Sequence, residues 1–188
     1  MPIIFYEREV SKDNPIPSSM VNLIVHKVAN MLKTIIKQEH IETPVFVCVL
    51  KGALPFFARL TLHPALQDVN LRWEFVYVTS YENQDSTGEI KEKLMPSKET
   101  IENKDVFIIE DIVDTGLTVS YLKDKFLNEY NAKKVYIVTM LDKPSRRKVD
   151  IEPDIIGVRL KGEPFVYGFG LDMFDNDWRH LQYITAVQ

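Results

Sequence analysis

Four segments of the 188-residue chain, residues 45–50, 106–109, 135–141 and 155–160, are short and almost unbroken in apolar character. A strand with one face in water alternates apolar and polar residues, so runs like these belong to strands covered on both faces. Helical spacing fills the gaps between them. Ser18 or Ser19 can cap a helix in which Val21, Ile24, Val25, Val28, Leu32 and Ile35 recur every three or four residues, reaching about Gln38. Pro55 suits the first turn of a second helix, with Phe56, Phe57 and Leu60 on its apolar side. Leu122, Phe126 and Tyr130 mark a third. Strands that alternate with helices, each strand buried twice, predict an α/β fold with a mainly parallel sheet flanked by helices. No repeat or linker divides the chain, and its length suits one domain over residues 1–188.

Three stretches read differently. Residues 71–81 alternate and are rich in aromatics and valine, which predicts a further strand. Residues 82–93 hold one aliphatic side chain, Ile90, among polar ones, and predict a long functional or mobile loop. Residues 165–188 are aromatic and irregular.

Composition excludes several classes. The charge balance, 23 basic against 27 acidic residues, gives −4 and no bulk reason to bind nucleic acid or an anionic membrane. Cys48 is the only cysteine, so no intrachain disulfide can form, and its place within an apolar run marks it as an inert buried thiol. The first ten residues lack the apolar core of a signal peptide, and no run approaches the length of a membrane span. A soluble cytoplasmic protein is the expectation. The four histidines, His26, His40, His63 and His180, show no metal-ligand spacing.

In open α/β sheets, ligands bind beyond the carboxyl ends of the strands. The run at 106–109 leads into Glu110-Asp111-Ile112-Val113-Asp114-Thr115-Gly116-Leu117-Thr118, with a helix to follow. Gly116 lets backbone approach a ligand closely, and helix-start N–H groups with the Thr115 and Thr118 hydroxyls form an anion cradle. The acids cannot hold a phosphate. They can accept hydrogen bonds from sugar hydroxyls, bind a hard cation, or take a proton. An isolated acidic pair would as readily be a solvated corner with Asp114 as a helix cap. Here the pair directly follows a buried strand and precedes Asp-Thr-Gly, which favours a ligand combining phosphate with a diol, such as a ribose 5-phosphate. No Gly-Lys-Ser/Thr follows, so this is not a P-loop.

Residues 106–118 closely resemble the phosphoribosyl-diphosphate (PRPP) signature of type I phosphoribosyltransferases, and nearly the whole chain resembles the hypoxanthine-guanine branch of that family. Leu50-Lys51-Gly52 is similar to that branch's pyrophosphate loop, whose Lys-Gly region can carry a cis peptide. Ser80-Tyr81, with Ser86-Thr87-Gly88 beyond, is similar to its mobile catalytic loop. Leu141-Asp142-Lys143 resembles the strand end bearing its purine-reading lysine. Phe165-Val166 and Gly170-Leu171-Asp172 resemble its base-stacking hood and metal-binding aspartate. Five motifs in the family's order make the resemblance highly specific.

The resemblance implies a parallel-sheet core with a small hood from the N-terminal segment and residues 160–188. It implies transfer of the phosphoribosyl group from PRPP to N9 of hypoxanthine or guanine, giving IMP or GMP and pyrophosphate, with Mg²⁺ as cofactor. Asp114 would be the general base. Glu110, Asp111, Asp114, Thr115, Gly116, Leu117 and Thr118 would hold the ribose phosphate, and Lys51, Gly52 and Arg179 the pyrophosphate. Lys143, Phe165, Val166 and Asp172 would meet the purine, and Glu110, Asp111 and Asp172 the metal. A homodimer or homotetramer is implied. Two positions depart from the pattern: Leu117 stands where many relatives carry Lys or Arg, and Trp178 stands where they carry the pyrophosphate arginine, with Arg179 one place later. The alternatives are a xanthine-preferring or broad 6-oxopurine enzyme, and an RNA-binding regulator on the same fold. The latter wants a basic face, which the net charge does not supply. Without its companion motifs Lys143 would read as a solvated strand end, and Phe165 as filler.

Overall fold

The computed structural model describes residues 1–80, 90–174 and 177–187. Seven strands form one sheet: β1 (Ile3–Arg8), β2 (Val45–Val49), β3 (Arg72–Ser80), β4 (Ile90–Leu94), β5 (Asp105–Val113), β6 (Lys134–Asp142) and β7 (Ile155–Leu160). Their spatial order is β1-β7-β6-β5-β2-β3-β4. Every pairing is parallel except that of β3 with β4. This is the expected α/β architecture.

Period-two alternation divides the strand side chains between two cores. Phe46, Cys48, Phe107, Ile109 and Val138 face α1 (Ser18–Gln38) and α2 (Leu54–Thr61). Val45, Val47, Val106, Ile108 and Ile137 face α4 (Leu117–Asp124) and the π-helical turn Lys125–Glu129 that extends it. The short α3 (Lys98–Ile101) closes this second core through Ile101. Both faces of the central strands are thus dry, as their unbroken apolar runs require. Among the described residues no helix is long and apolar enough to cross a membrane.

Three elements differ from the sequence reading. β1 carries no twice-buried run because it is an edge strand, half-buried and paired only with β7. Residues 90–93 are not loop but most of β4, whose sequence, Ile-Lys-Glu-Lys-Leu, is almost wholly exposed. Backbone pairing with β3 holds it, and its lysines suit an outer edge. β5 runs four residues beyond 109, so Glu110 and Asp111 lie in the strand's last turns of pleat and not after it. Ile112 and Val113 continue the ladder opposite Leu141 and Asp142.

The chain ends meet in a smaller layer. β8 (Val166–Tyr167) pairs antiparallel with β9 (Thr185–Ala186), and Ile16 bridges Ile184. Of the N-terminal segment, Ile3–Arg8 goes to the main sheet, and the stretch around Ile16 joins the C-terminal pair.

Candidate active site

From β2 the chain proceeds outward to β3, whereas from β5 it proceeds the other way to β6. The reversal opens a crevice between β2 and β5 at their carboxyl ends, where ligands bind in such sheets. A cleft of about 500 Å³ lies there. Lys51, Gly52, Glu110, Asp111, Asp114 and Arg179 line it, with Thr115, Gly116, Thr118 and Asp172 beside them.

The Leu50–Lys51 peptide is cis, within the turn that follows β2. Gly52 is there for want of room. A Cβ on it would stand 1.7 Å from Asp111 Oδ2. Gly170, at φ +100°, abuts the other side, where its own Cβ would lie 1.9 Å from the Gly52 carbonyl oxygen. The turn, the acidic strand end and the C-terminal segment therefore touch through glycines, with no side chain between them.

Glu110 and Asp111 are crowded into the same wall. Glu110 Oε1 accepts from the Asp111 N–H at 3.1 Å, and Asp111 Oδ1 accepts from the Ile112 N–H at 2.9 Å. Burial, then the adjacent Asp111 charge, pushes the Glu110 carboxyl well above its ordinary range. Burial also raises Asp111, against hydrogen bonds from Glu110 and the Ile112 N–H and the Arg179 charge, which pull it down. Beneath them Cys48 is pushed up to about 12 by burial and these two acids, which makes it the inert thiol expected.

Asp114 divides its two oxygens. Oδ2 faces Arg146 Nη1 at 3.2 Å and Lys143 Nζ at 3.8 Å. Oδ1 is buried with no hydrogen-bond partner among the described residues, and so keeps a lone pair for a ligand. Lys143 is no solvated strand end: it is 4% exposed. Gly116, at φ +82°, turns the chain into α4, and the Leu117 N–H donates to Thr115 Oγ1 at 3.5 Å. Leu117 does not line the cleft.

Arg179 lines the cleft and Trp178 does not. Its Nη2 is 2.7 Å from Asp172 Oδ2, and its Nη1 donates to the Gly170 carbonyl. Trp178, at φ +65°, is half-exposed and stacks on His180. Asp172 shares the cleft with Glu110 and Asp111, yet no three His, Cys, Asp or Glu side chains among the described residues converge as a metal cage. Phe165 and Val166 lie outside the cleft wall: Phe165 is half-exposed against Phe174, and Val166 is buried in β8. Ser80 ends β3, and Tyr81, with Ser86, Thr87 and Gly88, lies outside the described residues.

The family model for the phosphoribosyl transferase domain matches residues 20–173. The chain belongs to the phosphoribosyltransferase family. This phosphoribosyltransferase is 42% identical over 167 residues to the hypoxanthine-guanine phosphoribosyltransferase of Bacillus subtilis (strain 168), a match covering 87% of this chain and 88% of that one. Among solved structures it is similar to a hypoxanthine phosphoribosyltransferase from Staphylococcus aureus, at 33% identity and TM-score 0.78, over 92% of this chain and 89% of the other. It is also similar to the Trypanosoma cruzi hypoxanthine phosphoribosyltransferase in complex with the product IMP, at 31% identity and TM-score 0.80, over 93% and 94%.

Sequence reasoning missed several residues in or behind the cleft wall. Thr79 lines the cleft from the end of β3, with its hydroxyl oxygen buried and without a partner among the described residues. Arg146 and Arg147 sit in a run, Ser-Arg-Arg-Lys, that reads as solvated, and only the fold brings them behind Asp114. The one signal available was the carboxyl-end position of Thr79.

Proposed function

We propose that this phosphoribosyltransferase acts in purine salvage, moving the phosphoribosyl group of PRPP to N9 of hypoxanthine or guanine with release of pyrophosphate. The observation that carries the reading is the buried Lys143 ammonium 3.8 Å from Oδ2 of Asp114, a residue of the cleft wall. Lysine offers only donors, and a carboxylate only acceptors. A 6-oxopurine presents the complement on one edge, with O6 as acceptor and N7 as the atom that gives up a proton. Asp114, through Oδ1, takes that proton as N9 attacks C1 of the ribose. Adenine turns a donor towards Lys143, and a buried donor left facing a donor is rejected by orders of magnitude.

The other residues divide the remaining work. The Thr115 and Thr118 hydroxyls and the amides of the 114–116 turn hold the 5′-phosphate. Glu110 and Asp111 accept from the ribose hydroxyls, and their negative charge favours the positive charge that grows on the ribose in the transition state. Lys51, Gly52 and Arg179 take the pyrophosphate oxygens. Phe165 offers a ring face for stacking on the base, with the Val166 backbone at its edge.

Mg²⁺ fits this donor set. Two adjacent acids, one held well above and the other above its ordinary range, form a site short of positive charge. Mg²⁺ prefers one or two carboxylates with phosphate oxygens and waters to an all-protein cage. Glu110, Asp111 and Asp172 would hold it, directly or through water. Bound there, it supplies charge neutralisation for the departing pyrophosphate.

The test is direct: purified protein, PRPP and Mg²⁺ with hypoxanthine, guanine, xanthine or adenine in turn, the nucleotide products separated and counted. IMP and GMP should form, with adenine slower by about 100-fold or more. No transfer to either hypoxanthine or guanine, or an equal rate with adenine, would sink the reading.

A further inference from the structure

Behind the 113–116 turn, on the side away from the cleft, lies the segment that follows β6, and it takes hold of three successive carbonyls. The Val113 carbonyl accepts from the Lys143 N–H at 3.0 Å and from Arg147 Nη1 at 3.0 Å. The Asp114 carbonyl accepts from the same Arg147 nitrogen at 2.7 Å. The Thr115 carbonyl accepts from the Lys148 N–H at 2.9 Å. A trans peptide is planar, with its C=O and N–H pointing opposite ways. Carbonyls fixed towards Arg147 therefore turn the N–H groups of Asp114, Thr115 and Gly116 towards the cleft that these residues line.

Arg147 is itself held. Its Nη2 meets Asp142 Oδ1, a carboxylate with no solvent exposure. The other Asp142 oxygen accepts from Arg159 Nε at 2.9 Å, and Arg159 continues to Glu152 at 2.7 Å. A buried carboxylate between two guanidiniums is well compensated, and a guanidinium's fork fixes direction as well as charge. The Arg147 stem also backs the turn's glycine: a Cβ on Gly116 would lie 2.8 Å from Arg147 Cδ. Arg147 does not line the cleft.

We propose that Arg147 is a positioning residue that aims the backbone donors of the 114–116 turn at the substrate's 5′-phosphate. The proposal rests on the phosphoribosyl reading of the site. Lysine keeps the charge beside Asp142, but its single ammonium cannot span a carboxylate and two carbonyls as the fork does. Arg147→Lys should therefore fold and melt close to the parent while losing grip on phosphate selectively.

The measurements are IMP affinity by equilibrium titration and the hypoxanthine KM, on the parent and on R147K. A parent that binds no IMP would overturn the phosphoribosyl reading itself, whatever the variant does. With a parent that binds, the expected result is IMP weakened about tenfold or more, with the hypoxanthine KM within about threefold. IMP affinity within about threefold of the parent would overturn the proposal, and so would equal losses for IMP and hypoxanthine, which mark a general structural role. Should R147K not fold, Asp142→Asn loosens Arg147 without removing it. The same phosphate-selective loss is then required, and intact IMP binding overturns the proposal.

Discussion

Asp114 shows how one side chain is prepared for two partners. Lys143 and Arg146 face one oxygen, and the other is buried with no hydrogen-bond partner among the described residues. An amide at this position keeps the shape and a hydrogen-bonding oxygen but cannot accept a proton. Asp114→Asn should therefore lower kcat by about 10²–10⁴-fold, the usual worth of general-base help. The PRPP KM should stay within a few-fold, because the proposed function gives the phosphate to amides and hydroxyls. Steady-state rates with hypoxanthine decide it, and a near-normal kcat would remove Asp114 from the chemistry. The acids of the 110–118 stretch were legible from sequence because their spacing is local. The burial of Lys143 was not. A lysine after a strand reads as solvated, yet in the fold this residue is 4% exposed.

At the scale of elements, the Lys51–Gly52 turn is gripped between the end of β5 and the C-terminal segment. Gly52→Ala would place a methyl 1.7 Å from the Asp111 carboxylate. Overpacking of this kind typically costs about 1–3 kcal/mol, and a displacement near 1 Å at a catalytic group costs about 10²-fold in rate. The expected variant is folded, melts a few degrees lower, and loses about 10²-fold in kcat/KM. Gly162→Ala is the control: Gly162 has φ +73° but nothing within 4 Å of its Cβ position, so it should lose stability without losing activity. Comparable activity in the two variants would show that the Gly52 contact is unimportant. Elements held by side-chain burial were legible in the sequence: the helices from their spacing, β2, β6 and β7 from their apolar runs. β4 was not, because backbone pairing holds it and its exposed charged residues look like loop. The true end of β5 was hidden too. Two acids break an apolar run, yet here they belong to the strand and turn their charge to the cleft.

For the molecule as a whole, the acidic wall of the cleft costs stability. Glu110 is buried, and its carboxyl is held well above the ordinary 4.5 by burial and by Asp111. In the unfolded chain the group loses its proton near that ordinary value. Between there and the raised native value, the folded state holds more protons than the unfolded one. Stability contributed by this group is thus fully present in acid, falls as pH rises through that window, and stays low above it. Such strain belongs where function needs charge, and it is why a ligand-free site can cost the fold that carries it. Glu110→Gln removes the titration while keeping an oxygen for the Asp111 N–H and adding a donor towards the Asp111 carboxyl. Thermal melts of the ligand-free protein should show the variant more stable than the parent at about pH 8, with the difference shrinking towards about pH 4. PRPP with Mg²⁺ should raise the melting temperature of the parent and do so far less for the variant, because in the proposed function Glu110 is a ligand of the cation and the ribose. A variant that melts below the parent at about pH 8, or a gap that does not change with pH, would mean that Glu110 is ionised and well solvated in the fold.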